Sequence, residues 1–127
     1  MPRRALLIDD SRAMRMLLGS QVRALGFEVT EAGDGSEALA ALEGGGDVDL
    51  ALVDWNMPVM NGLEFIRAVR AHDELRKLCI VVITSETELS QMQAALDAGA
   101  NEYLMKPFTR DSLGSKLELL GVLHGAT

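Results

Sequence analysis

The sequence predicts an α/β domain in which five β-α units form one parallel sheet covered by helices on both faces. Three observations carry the prediction: five short runs of strand-forming character, stretches of helical periodicity between them, and a polar group where four of the runs end. Strands that are apolar on both sides need cover on both faces, which a doubly wound parallel sheet provides.

The first strand, Arg4-Ala5-Leu6-Leu7-Ile8, runs into Asp9-Asp10. Met14, Leu17, Leu18, Val22 and Leu25 then recur at helical spacing, with Ser11 as N-cap and Gly26 as the stop. Residues 27–32 (Phe-Glu-Val-Thr-Glu-Ala) alternate as a half-buried strand near a sheet edge does. Asp34-Gly35-Ser36 opens a second helix with Ala38, Leu39 and Leu42 on its inner face, and the Gly44-Gly45-Gly46 run ends it. The third strand, Leu50-Ala51-Leu52-Val53, ends at Asp54; Asn61-Gly62 then starts a helix with Phe65, Ile66 and Val69 facing inward. Cys79-Ile80-Val81-Val82-Ile83 is the fourth strand and ends at Thr84-Ser85. Leu89, Met92, Ala95 and Leu96 mark a fourth helix closed by Gly99; residues 102–105 form the last strand and end at Lys106-Pro107; Leu113, Leu117 and Leu120 mark a fifth helix. Right-handed crossovers and the size of the chain favour the flavodoxin-like strand order 2-1-3-4-5. The two Asp9-Asp10 carboxylates would then meet Asp54 at the switch point, where open α/β sheets bind ligands.

With 127 residues, 48% hydrophobic and 24% charged, the chain suits a single globular domain over residues 1–127. A net charge of −7 opposes unspecific binding to nucleic acid or anionic membranes. No apolar run approaches the about 20 residues that a membrane span needs, and the start is too short for a signal peptide. The expected location is the cytoplasm. The one cysteine, Cys79, falls in the most apolar strand and reads as a small buried hydrophobe. His72 and His124 read as surface residues.

Each polar strand end has a modest explanation. Asp9-Asp10 can cap a helix, although Ser11 is able to do so alone. Asp54 can be a turn residue, Ser85 and Glu88 fit a capping box, and Lys106 can be a solvated charge before a proline. All four at corresponding strand ends would be a coincidence. Two carboxylates about 4 Å apart repel by about 4 kcal/mol at an effective dielectric of 20, so three at one edge call for a cation. All-oxygen donors with room for water and phosphate suit Mg²⁺, and the lack of histidine or cysteine at these ends argues against zinc. A carboxylate such as Asp54 can attack a phosphoryl group to give an acyl phosphate. A metal and Lys106 would neutralise the transferred charge, and Thr84 could donate to the new phosphoryl oxygens and thereby bias a conformational equilibrium.

On Asp9-Asp10, Asp54, Thr84 and Lys106-Pro107-Phe108, the chain resembles response-regulator receiver domains over essentially its whole length. The segment 54–62 (Asp-Trp-Asn-Met-Pro-Val-Met-Asn-Gly) is similar to single-domain chemotaxis regulators of the CheY type. The strand order given above is one that such regulators are known to have, so it is not independent of the resemblance. The resemblance implies that Asp54 accepts phosphate from a histidine kinase. It further implies that Asp10, Asp54 and the Asn56 backbone carbonyl ligate Mg²⁺, with Asp9 acting through water. Lys106 would contact the phosphoryl group, with a cis bond to Pro107. Thr84 and Tyr103 would form the switch pair, and the fourth helix, last strand and fifth helix would present the altered face to a protein target. Asn56 and Glu86 occupy positions that tune acyl-phosphate lifetime. Ser85 stands where alanine or glycine is usual, and Asn61 replaces a common aspartate. The implied protein is a monomeric switch whose target is a flagellar motor component or, in a phosphorelay, a phosphotransfer protein. A Mg²⁺-dependent aspartyl phosphohydrolase is the alternative from another class, but it would carry a second acid where this chain has Asn56.

Overall fold

The computed structural model describes residues 3–45 and 47–122. Its elements run β1 (Arg3–Ile8), α1 (Arg12–Ala24), β2 (Phe27–Ala32), α2 (Gly35–Glu43), β3 (Leu50–Asp54), α3 (Gly62–Arg70), β4 (Cys79–Thr84), α4 (Met92–Ala98), β5 (Glu102–Met105) and α5 (Arg110–Leu119). Short 3₁₀ turns occupy Asp73–Leu75 and Glu86–Gln91. All four strand pairings are parallel and the order is 2-1-3-4-5, as expected.

Alternation along the strands divides the core in two. Leu6 and Ile8 of β1, Ala51 and Val53 of β3 and Ile80 and Val82 of β4 face Phe65, Ile66 and Val69 of α3, together with Ala38 and Leu42 of α2 and Ala95 of α4. The opposite set, Ala5, Leu7, Leu50, Leu52, Val81 and Ile83, packs against Leu18 and Val22 of α1 and Leu113 and Leu117 of α5. The central strand β3 is buried at all five positions, whereas β2 at the edge is mixed: the expected alternation holds over residues 27–30 and then breaks, with Glu31 exposed and Ala32 buried. Cys79 is buried and free, and burial pushes its thiol up to about 11, which suits a structural rather than a reactive group.

Local signals place most helix starts. Ser11 accepts from the Met14 amide at 3.2 Å, Asp34 from Glu37 at 2.8 Å, and Asn61 and Glu64 exchange both bonds of a capping box. Thr109 and Ser112 do the same for α5. Three details differ from the sequence reading. Leu17 is exposed, because a helical step of about 100° carries it off the stripe that Met14, Leu18 and Val22 turn to the sheet. The fourth helical segment begins as a 3₁₀ turn, whose tighter winding leaves Leu89 exposed and delays the α-helix to Met92. His72 is half-buried rather than fully on the surface; its ring nitrogens lie 3.3 Å from Glu43 and 3.4 Å from Glu74. Gly46 and His124 lie outside the described residues.

The loop after β3 is held tightly. The Gly62 amide donates to the Trp55 carbonyl at 3.1 Å, and a Cβ at Gly62 would come within 3.0 Å of the Trp55 backbone. Between them, Val59 has φ +67° and is 80% exposed, and the Met60 amide donates to the Pro58 carbonyl at 2.7 Å. A β-branched residue is strained in this left-handed region, and no burial offsets the strain. Val59→Asn is therefore expected to stabilise the protein by about 1 kcal/mol, since asparagine tolerates this conformation. A higher urea midpoint at unchanged slope would show it.

Candidate phosphoacceptor site

The parallel register brings the C-terminal ends of β1, β3, β4 and β5 to one edge. Ile8 pairs with Val53, Asp54 with Ile83, and Thr84 with Met105. The residues that follow these positions are the ones singled out from sequence. Asp9 and Asp54 are buried and Asp10 is exposed, and one carboxylate oxygen from each lies within 4.8 Å of the others. Lys106 Nζ stands 3.7 Å from Asp54 Oδ1. The Lys106–Pro107 bond is cis, and the Lys106 amide donates to the Thr84 carbonyl at 2.8 Å, tying the β5 exit to β4.

Backbone contacts fix the carboxylates. Asp9 Oδ1 accepts the Ser11 amide at 2.8 Å, and the Asp9 amide donates to the Ala32 carbonyl of β2 at 3.2 Å. The Trp55 amide donates to the Ile83 carbonyl at 3.1 Å, which sets Asp54 against β4. Electrostatically the site is under load. Burial raises the Asp54 carboxyl to about 6; Asp9, Glu88 and Asp10 add to the rise, and Lys106 opposes it. Burial also raises Asp9, against the Ser11 bond and Lys106. The buried Asp9, rather than the exposed Asp10, thus exerts the stronger repulsion on Asp54. The donor set fits a hard cation: three carboxylates, no imidazole or thiolate, and one acid open to water.

The other expected residues fall in two groups. Thr84 is fully buried, with its hydroxyl 3.4 Å from the Ser85 carbonyl and from Glu88 Oε1; none of the hydrogen bonds among the described residues joins it to Asp54. Ser85 is half-buried and sits beside it. Tyr103 is half-buried on β5, with Lys116 Nζ 5.6 Å above its ring and 3.0 Å from its carbonyl. Asn56, Glu86 and Pro107 are exposed.

Three contributors escaped the sequence reading. Arg15 donates to the Asp9 carbonyl and pairs with Glu31 at 2.9 Å, bracing the first acid from α1. Gln91 Oε1 accepts the Trp55 indole N–H at 2.6 Å, joining the residue after Asp54 to the start of α4. Glu88 was read only as a cap, yet it reaches the Thr84 hydroxyl. The capping-box spacing already placed Glu88 near that strand end; no sequence signal pointed to Gln91.

Comparison with known proteins agrees with this geometry. The family model for the response regulator receiver domain matches residues 5–118. Chemotaxis protein CheY1 of Helicobacter pylori is 40% identical over 116 residues, which cover 91% of this chain and 94% of that protein. The structure of Vibrio cholerae chemotaxis protein CheY4 superposes with a TM-score of 0.86 at 34% identity, covering 94% of this chain and 98% of that one. The receiver domain of a sensor histidine kinase from Pseudomonas aeruginosa, solved with a magnesium ion coordinated in its active-site cleft, superposes at 0.84 with 30% identity, covering 94% and 97%. Among the described residues, no helix is long and apolar enough to cross a membrane. With a family match over most of its length and a relative this similar, the chain belongs to the response regulator receiver domain family.

Proposed function

We propose that residues 1–127 act as one receiver domain, a switch that accepts a phosphoryl group on Asp54 from a histidine kinase. The convergence of Asp9, Asp10, Asp54 and Lys106 at one sheet edge carries this reading. An Asp54 carboxylate oxygen forms the new O–P bond as the phosphohistidine N–P bond of the donor breaks, leaving an acyl phosphate and a neutral imidazole. Lys106, already beside Asp54, balances charge on the arriving oxygens. Asp9, Asp10, Asp54 and the Asn56 carbonyl would hold Mg²⁺, which supplies the remaining charge neutralisation when bound. The magnesium-bound Pseudomonas receiver domain supports that assignment.

Thr84 then donates to the phosphoryl group and Tyr103 follows it inward. Glu86, Ser85 and Asn56 border the site and tune how long the acyl phosphate lasts. The face of α4, β5 and α5 carries the change to a protein target, with chemotaxis or flagellar motor control favoured by the CheY relatives. The protein would work as a cytoplasmic monomer.

Beryllofluoride, a phosphoryl mimic, tests the switch without a kinase. With Mg²⁺ it is expected to change the fluorescence of Trp55, the only tryptophan. Silence in the wild type, or an equal response in Asp54→Asn, would refute the reading. The metal assignment has its own check. Asp10→Asn is expected to leave stability in EDTA within about 0.5 kcal/mol, because the residue is exposed. It should weaken Mg²⁺ binding about tenfold or more, measured as the lost Mg²⁺-dependent rise in melting temperature.

A further inference from the structure

One oxygen of Glu88 gathers three donors at the exit of β4. Glu88 Oε1 accepts the Ser85 amide at 3.2 Å and the Ser85 hydroxyl at 3.1 Å, and it lies 3.4 Å from the Thr84 hydroxyl. That hydroxyl's one other acceptor among the described residues is the Ser85 carbonyl, also at 3.4 Å. Capping the turn requires only the amide. The two hydroxyls are additional, and one of them belongs to the fully buried residue assigned to sense the phosphoryl group. Glu88 is also among the charges that raise the Asp54 carboxyl, so its field reaches the site. It sits in the 3₁₀ turn Glu86–Gln91, whose last residue accepts the Trp55 indole N–H.

We propose that Glu88 is a latch on the response: it holds the Thr84 hydroxyl and the β4 exit in their resting arrangement, and a phosphoryl group on Asp54 must displace it. A threonine hydroxyl has a single proton to donate, so service to the phosphoryl group and to Glu88 is mutually exclusive. The incoming phosphoryl charge repels the Glu88 carboxylate, which drives the exchange in one direction. Release of Glu88 also frees the 3₁₀ turn that connects Thr84 to α4 and Trp55. The latch keeps the competent arrangement a minority in the resting protein and lowers apparent affinity for the phosphoryl group by that fraction. This inference rests on the phosphoacceptor reading and deepens it.

Beryllofluoride titrations at saturating Mg²⁺, followed by Trp55 fluorescence, test it in wild type, Glu88→Ala, Thr84→Val and the double variant. Glu88→Ala is expected to tighten the midpoint about 3–10-fold. In the Thr84→Val background the same change should alter it less than about twofold. Glu88→Gln, which keeps an acceptor oxygen without the charge, should fall between wild type and alanine and serves if the alanine variant does not fold. An equal gain with and without the Thr84 hydroxyl would mean that Glu88 acts only through space, and would overturn the latch. A Glu88 variant that is less stable but has the wild-type midpoint would make the residue a cap alone, which also overturns it. A wild type that does not respond would remove the functional reading itself, an outcome distinct from equal midpoints.

Discussion

Arg70→Ala is expected to destabilise the protein by about 2–4 kcal/mol, a loss of the size expected for a buried core side chain. Arg70 is the last residue of α3, and its guanidinium bridges two connecting segments, 71–78 and 99–101. Nε donates to the Gly99 carbonyl at 2.9 Å, Nη1 to those of Leu75 and Arg76 at 3.1 and 3.2 Å, and Nη2 to Leu78 at 2.8 Å and Asn101 Oδ1 at 3.0 Å. Asn101 Oδ1 also accepts the Ile80 amide, so the network reaches into β4. No carboxylate among the described residues pairs with this charge, and burial lowers its affinity for a proton. Carbonyls alone satisfy it, and removing it takes a donor from five oxygens around the N-terminal end of β4. Lysine cannot reproduce five donors in a planar fork, so Arg70→Lys should recover less than half of the loss. Gly99 shares the site: its φ is +122°, and a Cβ there would come within 2.6 Å of Arg70 Cγ. Urea unfolding of the two Arg70 variants checks both statements.

Asp54→Asn is expected to stabilise the metal-free protein at pH 7.5 and to do nothing near pH 3.5. Burial and neighbouring acids raise the folded carboxyl from 3.8 to about 6. Below 3.8 both folded and unfolded chains hold the proton, and ionisation has no cost. Between 3.8 and 6 the unfolded chain ionises first, so stability falls as pH rises through that window. Above 6 the penalty is complete and corresponds to about 3 kcal/mol at about 1.4 kcal/mol per unit. Asparagine removes this penalty, and its advantage should grow between pH 4 and 6 and then level off. Saturating Mg²⁺ should reverse the order, because only the wild type gains from the cation. The same linkage predicts that Mg²⁺ binding weakens as pH drops below about 6, where the cation competes with a proton on Asp54. Melting curves across pH in EDTA and in Mg²⁺ would show both effects.

The sheet and the site edge were legible because two independent patterns coincide. The strands β1, β3 and β4 are dominated by short apolar runs, and Asp9, Asp54, Thr84 and Lys106 each mark where a strand meets the same edge. What stayed hidden depends on contacts between segments distant in sequence. The partners of Arg70 are carbonyls, which any residue carries, so nothing in the string marks Arg70 as different from Arg67. The turn over Glu86–Gln91 shares its capping signal with an α-helix, and the tighter winding that exposes Leu89 has no distinct signature. Val59 contradicts its own propensity, since valine is a poor choice for a left-handed position. Leu17 fits a generous helical stripe and falls outside the actual one.

Intact mass after mixing the protein with Mg²⁺ and acetyl phosphate, quenched cold, tests the central claim most directly. The account predicts gain of a single phosphoryl group, absent from Asp54→Asn and from a sample in EDTA. No gain in a protein that also fails to respond to beryllofluoride, or a gain that survives in Asp54→Asn, would contradict it.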